Sequence, residues 1–520
     1  MSLLLSPTQI ESLLGLPIYP TSVSAAGDAV FFLARGEEDK RLGILAAAGS
    51  AQADRFAGDR SEKGGLILAL CPLTAANAQA LRAAFAWLTP TTLGLRTSAG
   101  CGDRLGLATP GHIHAARAAP GIAMIFAQQS IRENTRTGRT PQDVVDDATW
   151  GVFQEGWREG YGADADHLKT TADADSTAAA GYTFFTVDPG DHVDDAAHTA
   201  PFAELQAKVA ALPWADPSPG SGHGPSTSSG HGPSTSSGQA LDSSVADMRA
   251  RYLGKPFDLE DLRLIFTEED LFRAAAKYAR AVLHAARMYR HLNGKITGRP
   301  WELEVSVDET NTPTSHLEHL YIASELKRLG VRWVSLAPRY VGRFEKGVDY
   351  IGNLLEFERS FAGHAAIARA FGPYKLSLHS GSDKFSIYGI AARHAAGLVH
   401  LKTAGASYLE ALRATASFDP GLFREIMAFA IERYETDRAS YHVSAELAKV
   451  PPLNTMSDAD LPGLLDQFDA RQVLHVTYGS VLNDARFKKR FFTGLAAHET
   501  EHYATLERHF IRHLQPLCEK

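Results

Sequence analysis

The chain has 520 residues, 44% of them apolar, a formal charge of −8 and three cysteines. That length suits one large barrel of roughly 250 to 400 residues with extensions, or two to three domains, and the apolar share is enough for a full core. Net acidity without a basic stripe argues against a nucleic-acid partner. Cys71, Cys101 and Cys518 form no C-x-x-C pair, which speaks against a cysteine zinc site or a disulfide framework and fits a reducing cytoplasm.

The opening stretch MSLLLSPTQIESLLGL lacks the basic start and long apolar core of a signal peptide. No run approaches ~18 apolar residues, so no membrane span is expected. Residues 1–88 read as a mixed α/β region leaning on the main domain, with strands at Ala29–Leu33, Leu42–Ala46 and Gly65–Leu70 and a helix over Ala75–Trp87. From residue 89 onward, strand-like runs recur, most followed by a helical pattern. They begin at Thr92, Ile122, Asp166, Tyr182, Trp301, Val331, Tyr374, Gly397 and Val473, with helices such as Thr140–Glu159, His316–Leu329 and Leu422–Thr436 between them. This alternation predicts parallel βαβ units and, over residues 89–520, a TIM-type (β/α)8 barrel. Nine strand candidates are one too many for it, and a doubly wound sheet is the second architecture.

Residues 216–240 carry a tandem GHGPSTSS, at Gly222–Ser229 and Gly230–Ser237. Gly, Pro and Ser at this density cannot bury a core, so a disordered surface loop is expected. Helical patterns at Pro201–Leu212 and Glu268–Leu292 flank it, which predicts a helical insertion within the barrel over about 200–295.

Two motifs are weighed and set aside. His498-Glu-Thr-Glu-His502 satisfies H-E-x-x-H, but only 18 residues follow and the spacing to His509 fits neither the metzincin pattern nor a distant glutamate ligand, so an interface or solvated stripe is the better reading. Gly100-Cys-Gly-Asp-Arg-Leu-Gly106 has G-x-G-x-x-x-G spacing, and the next strand ends in Gln128-Gln129 rather than an acidic ribose ligand. No nicotinamide cofactor is expected; a tight βα loop explains the glycines.

The organising stretch is Gly162–Asp195, which packs Asp164, Asp166, His167, Lys169, Asp188, Asp191 and His192 around two short apolar runs. At a strand end, Asp166 can accept a proton and His167 can bind a metal, on adjacent, oppositely directed side chains. Alone, the pair reads as a solvated loop. Two further runs strengthen it. Leu376-Ser-Leu-His379 delivers a histidine to a strand end, followed by Ser380, Gly381, Ser382 and the cation Lys384. Glu302-Leu-Glu304-Val-Ser-Val-Asp308-Glu309 runs acids out along another. His167, His379 and Glu309 then form a metal site with open positions for substrate; Asp308 and Glu304 are alternatives to Glu309.

These residues lie in segments that resemble the tagaturonate epimerases of hexuronate catabolism, whose relatives act as tagatose/fructose 4-epimerases. The segments are SAGCGDRLGLATPGH (Ser98–His112), GADADHLKT (Gly162–Thr170), GYTFFTVDPGDHVDD (Gly181–Asp195), SLHSGSDKFSIYGI (Ser377–Ile390) and HLKTAGASYLEALR (His400–Arg413). The resemblance spans most of the chain but not the 222–237 repeat. A more distant similarity is to class II, metal-dependent aldolases. There an Asp-His pair and an HGGSG-like strand end carry the base and metal ligands, and Asp166-His167 and His379-Ser-Gly-Ser look alike. That family often has a further histidine where Ser335–Tyr340 has none, so Glu309 is needed more.

The resemblance implies a cytoplasmic isomerase that inverts C4 of a ketose. That C–H is not acidified by the C2 ketone, so retro-aldol cleavage of C3–C4 with a divalent metal (Zn, Mn, Ni or Co) is the expected route. Asp166 takes the C4 hydroxyl proton, with Glu309 as a second catalytic carboxylate. Lys384 or Arg339 would hold the substrate carboxylate, and Gln129, Lys169, Asp188, Ser380, Lys402 and His475 would line the pocket. The expected partner is a small hexuronate or neutral ketose; a homo-oligomer is left open. A class II aldolase and a non-catalytic aldolase companion subunit are the competing readings.

Overall fold

Eight short runs, each buried on both faces as parallel strands must be, hydrogen-bond side by side in parallel and close into a barrel. In the computed structural model, which describes residues 5–36, 39–214 and 240–518, they are β1 (Ser98–Gly102), β2 (Ala123–Ser130), β3 (Gly162–Leu168), β4 (Phe184–Val187), β5 (Glu302–Val307), β6 (Ser335–Pro338), β7 (Lys375–Leu378) and β8 (Val399–Lys402). Neighbours in the barrel are neighbours in sequence, and β8 closes onto β1. Helices cover the outside, such as Thr109–Ala118 after β1, His316–Arg328 after β5 and Phe385–Ala395 after β7. The (β/α)8 expectation holds, and the doubly wound alternative does not.

Three strand assignments need correcting. Thr92–Arg96 is a loop, because its amides serve elsewhere: Leu93 N and Gly94 N donate to the Glu302 carboxylate at 3.0 and 2.6 Å. Leu93 itself plugs the lower barrel against Ala123, Ile125 and Phe184. Val473–Tyr478 is helical, within Phe468–Val476 and Tyr478–Asn483, since Val473 and Leu474 pack into the core of the C-terminal helices. That packing overrides a β-branched local preference. β1 was read only as a Gly-rich loop. Its small residues reflect crowding: a Cβ on Gly100 would lie 2.5 Å from Gln128 Oε1, and one on Gly102 2.9 Å from Ala404 Cα.

The N-terminal region forms a five-stranded antiparallel sheet ordered Ser24–Ala26, Ala29–Arg35, Lys40–Ala47, Leu66–Pro72, Asp59–Lys63. The helix Ala75–Ala84, capped by Thr74, follows. Between β4 and β5 the insertion contributes helices Phe202–Ala210, Val245–Tyr252 and Glu268–Lys295, plus a two-stranded hairpin at 256–265 absent from the sequence expectation. The repeat within 216–240 lies outside the described residues, Ala240 excepted.

The C-terminal helix Glu499–Cys518 packs on the helices Thr109–Ala118, Phe385–Ala395 and Ala406–Phe418. Two of the H-E-x-x-H residues make packing and ion-pair contacts. His498 stacks on Phe418 at 4.4 Å, and Glu499 pairs with Arg35 (3.1 Å) and Lys40 (2.9 Å) of the N-terminal sheet. Among the described residues no helix is long and apolar enough to cross a membrane.

Candidate active site

The site lies at the C-terminal ends of the strands, where barrel loops gather. Pairing of β3 with β4 slips between Ala165 and Leu168. The slip coincides with a left-handed backbone at His167, φ +54°, which a β-carbon disfavours and which clusters at functional sites. It undoes the strand's alternation. Asp166 and His167, sequence neighbours, turn to one place, with His167 Nε2 3.8 Å from Asp166 Oδ1.

After β7, the turn His379–Lys384 departs from extended backbone in the same way at Ser380 (φ +49°) and Asp383 (φ +64°). It sets the His379 ring 5.1 Å from that of His167. Ligand atoms of Asp166, His167 and His379 all fall within 4.8 Å of one another, and a second group of His167, Asp188 and Glu309 does the same. His167 is common to both. Its Nδ1 faces Asp188 Oδ2 at 3.3 Å, and Asp188 Oδ1 accepts from Gly190 N at 2.8 Å. An imidazole that donates Nδ1–H to a carboxylate presents Nε2 outward, the usual arrangement behind metal-binding histidines.

Below them, Lys402 at the end of β8 is buried among acids. Its Nζ lies 2.9 Å from Asp164 Oδ2, 2.7 Å from Asp166 Oδ1 and 2.8 Å from Glu304 Oε1, and donates to Thr186 Oγ1 at 2.6 Å. His379 bridges Glu304 (2.7 Å) and Asp308 (3.1 Å). Burial opposes charge on both imidazoles. The Asp166 charge and the Asp188 hydrogen bond outweigh it and raise His167 to about 10. Asp308 and Glu304 likewise raise His379 to about 9, against Lys402. Burial pushes Asp164 up to about 6, with Asp166 and Glu304 adding to it and Lys402 opposing. For Asp166, burial is overcome by Lys402 and the imidazoles, which hold it well below the usual carboxylate range.

This donor set fits a divalent cation: two imidazoles and carboxylates converge from different strands. Two imidazolium protons carry the charge that a dication would replace. Glu304 also keeps one buried oxygen, Oε2, without a hydrogen-bond partner among the described residues. Arg104, Ser130, Glu133 and Lys346 line the inner cavity with Asp166 and His167. A wider cleft of about 460 Å³ shares Arg132, Lys346, His379, Ser380 and Tyr441 with it, within the range of small-molecule sites.

Comparison with known proteins shows the family. The sequence matches the family described as tagaturonate epimerase over residues 19–217 and 234–517. The chain belongs to the tagaturonate epimerase family. It is 42% identical over 503 residues to the tagaturonate/fructuronate epimerase of Thermotoga maritima, covering 97% of both chains. Crystal structures of the fructuronate-tagaturonate epimerase of Cohnella laeviribosi superpose with TM-scores of 0.87 (native) and 0.88 (with two glycerols). Identities are 36% and 35%, over 98% of this chain and 99–100% of theirs. The unmatched stretch 218–233 takes in most of the octapeptide repeat.

In this epimerase-family barrel, Asp166, His167, His379, Ser380 and Lys402 line the inner cavity, and Glu309 and Arg339 line the outer cleft. Glu309 is 3.1 Å from Arg132, and the two alternatives to it, Glu304 and Asp308, both hold His379. Asp188 stands behind His167. The other four proposed pocket residues point elsewhere. Lys384 is buried, with Nζ donating to the carbonyls of Glu345, Val348 and Ser382 at 2.7, 2.5 and 3.0 Å. Gln129 reaches the carbonyls of Gln128 and Asp103 (2.9 and 3.2 Å), and Lys169 pairs with Asp191 at 2.8 Å. His475 lies on a helix behind the pocket, 3.4 Å from Arg104.

The lining residues that escaped the sequence reading include Arg104, Glu133, Lys346 and Tyr441. Arg104 and Glu133 form a buried pair at 2.8 Å, with Arg104 3.6 Å above the Tyr478 ring. A signal existed for both. Arg104 stands in the Gly-rich loop after β1, and Glu133 completes the Ser130 capping box just after β2, so both belong to loops that build barrel sites. Lys346 and Tyr441 come from loops without a local signature.

Proposed function

We propose that this chain interconverts D-tagaturonate and D-fructuronate by inverting C4 of the ketose. The route is cleavage of the C3–C4 bond and re-addition, with a divalent metal held by His167, His379 and a carboxylate, Asp166 or Glu309. The observation that carries the reading is the convergence of Asp166, His167 and His379 over Lys402 at one end of a barrel of this family.

When bound, the metal supplies Lewis-acid stabilisation of negative charge developing on the C2 and C3 oxygens. Asp166 accepts the C4 hydroxyl proton. Lys402 and the imidazoles keep it ionised throughout the neutral range; the same charges weaken it as a base, and deprotonation of His167 and His379 would relieve part of that effect. As C3–C4 breaks, C4 becomes the aldehyde of a three-carbon acid and the electron pair stays on C3. The aldehyde turns over, C3 re-adds to its other face, and Asp166, or Glu309 at the cleft, returns the proton to the C4 oxygen. Asp188 keeps His167 in one tautomer, and Lys402 balances the acids as protons move. C6 takes no part, so D-fructose and D-tagatose are substrates of the same chemistry if the pocket accepts them.

The test is an NMR-monitored reaction of D-fructuronate with chelator-stripped protein, repeated with Mn, Co, Ni or Zn restored. The reading expects tagaturonate only in the metal-restored reaction. Accumulating three-carbon products would replace it with an aldolase, and conversion by stripped protein would remove the metal.

A further inference from the structure

Lys346 is a half-buried cation that forms no ion pair among the described residues. Four neighbouring cations are matched, Arg104 with Glu133, Arg132 with Glu309, Arg343 with Glu345, and Lys402 with three acids, while Lys384 is spent on backbone carbonyls and Arg339 reaches the Asp308 carbonyl at 3.5 Å. Lys346 Nζ instead donates to the neutral Ser380 Oγ at 2.6 Å. Among the described residues no carboxylate comes within ion-pair distance of it. Even partial burial of an ammonium without a carboxylate partner is unfavourable, so its charge at the cavity wall is open to an anionic ligand.

The backbone around it is pinned from behind. Lys384 holds the carbonyls of Glu345 and Val348 on either side, and Arg471 Nε donates to Gly347 O at 2.8 Å. Arg471 also pairs with Asp383 at 3.1 Å, tying this loop to the turn after His379. The Glu345 carboxylate is taken by Ser444 (2.7 Å) and Gln472 (2.9 Å), so it does not neutralise its neighbour. Lys346 thereby lines both the inner cavity and the outer cleft. Arg339, the other candidate, lines the outer cleft alone.

Resting on the tagaturonate reading, we infer that Lys346 is the anchor for the substrate's C6 carboxylate, and that Lys384 and Arg471 are positioning residues that aim it. Lys346 then determines preference for hexuronates over neutral ketoses. The ammonium grips the three-carbon acid while C3–C4 is open, which keeps an epimerase from releasing aldol fragments.

The experiment measures KM for D-tagaturonate, and calorimetric binding of D-glycerate (a three-carbon acid) and of glycerol, on wild type, Lys346→Met, Lys346→Gln and Lys346→Arg. Thermal unfolding curves select the folded variants. The Met and Gln variants should raise KM and weaken glycerate binding about 10- to 100-fold, the range for one hydrogen bond to a charged group. Glycerol binding should be unchanged, and Arg should recover most of the loss. Unaltered glycerate binding in the Met or Gln variant would overturn the assignment. So would an equal loss for glycerol. A wild type that binds glycerate through Lys346 yet leaves tagaturonate unconverted would refute the epimerase reading alone.

Discussion

Lys402 offers the sharpest test of how this barrel is built, because it needs neither metal nor substrate. Replacing it with Met keeps the volume and removes an ammonium that stands within 2.9 Å of three carboxylates. At an effective dielectric of about 20, each contact carries roughly 6 kcal/mol of gross attraction, most of it offset by desolvation. Removing one partner of a buried pair leaves the other uncompensated, at about 3–5 kcal/mol. The sign with pH follows from the acids. In the wild type, Asp166 and Glu304 are held below their ordinary range, despite burial, by Lys402 and the imidazoles. Their stabilisation is therefore present above the unfolded pKa and is lost as pH falls. In Lys402→Met the same acids are pushed up by burial, so their penalty is greatest near neutrality and relaxes as they protonate. Urea unfolding followed by tryptophan fluorescence should show a gap of about 3–5 kcal/mol at pH 7 that narrows toward pH 5. Adding Asp166→Asn to Lys402→Met should recover part of it, a non-additivity expected of one network. A gap below about 1 kcal/mol at pH 7, or one that widens in acid, would refute the reasoning.

Asp166→Asn should lower kcat about 100-fold or more while the fold is retained; near-full turnover would dismiss the base. Asp188→Asn, which removes the charge facing His167 Nδ1, should weaken metal binding about 10- to 100-fold by calorimetry on stripped protein, and unchanged affinity would leave Asp188 without an orienting role. His167 and His379, raised to about 10 and 9, must give up protons to a metal. Affinity should therefore rise with pH through the neutral range, with proton release visible as a buffer-dependent binding enthalpy. Lys384→Met strands three buried carbonyls and should cost about 2–5 kcal/mol, and by releasing the backbone around Lys346 it should lower uronate turnover more than ketose turnover. Burial depresses Lys384 to about 7, so the cost of its charge is full below that pH and disappears as pH rises toward the unfolded value. Wild-type stability should climb across that window relative to Lys384→Met, and parallel pH curves would contradict this.

The barrel was legible because its strands alternate with helices, and so, in part, was its interior. Read with a period of two, β5 and the residue after it put Glu302, Glu304, Ser306 and Asp308 on one face. On the same rule β7 and its end put Lys375, Ser377 and His379 together, β8 puts His400 with Lys402, and β3 puts Asp164 with Asp166. Every one of these is among the buried polar residues or, for Asp308, holds one of them. An acidic strand, an acidic neighbour and two basic strands facing one another already describe the charge-balanced centre around Lys402. The rule fails where the backbone leaves the strand. His167 belongs to the opposite face by alternation and reaches Asp166 only through the register slip and its left-handed φ, a device without a sequence signature in a residue other than glycine. The same limit explains why Lys346 lines the cavity and Lys384 does not. After the left-handed Ser380 and Asp383, counting along the chain no longer says where Lys384 points. Lys346 is aimed by donors that arrive from the turn after β7 and from the C-terminal helices. Regular elements thus brought the charges together, and irregular backbone decided which of them face the cavity.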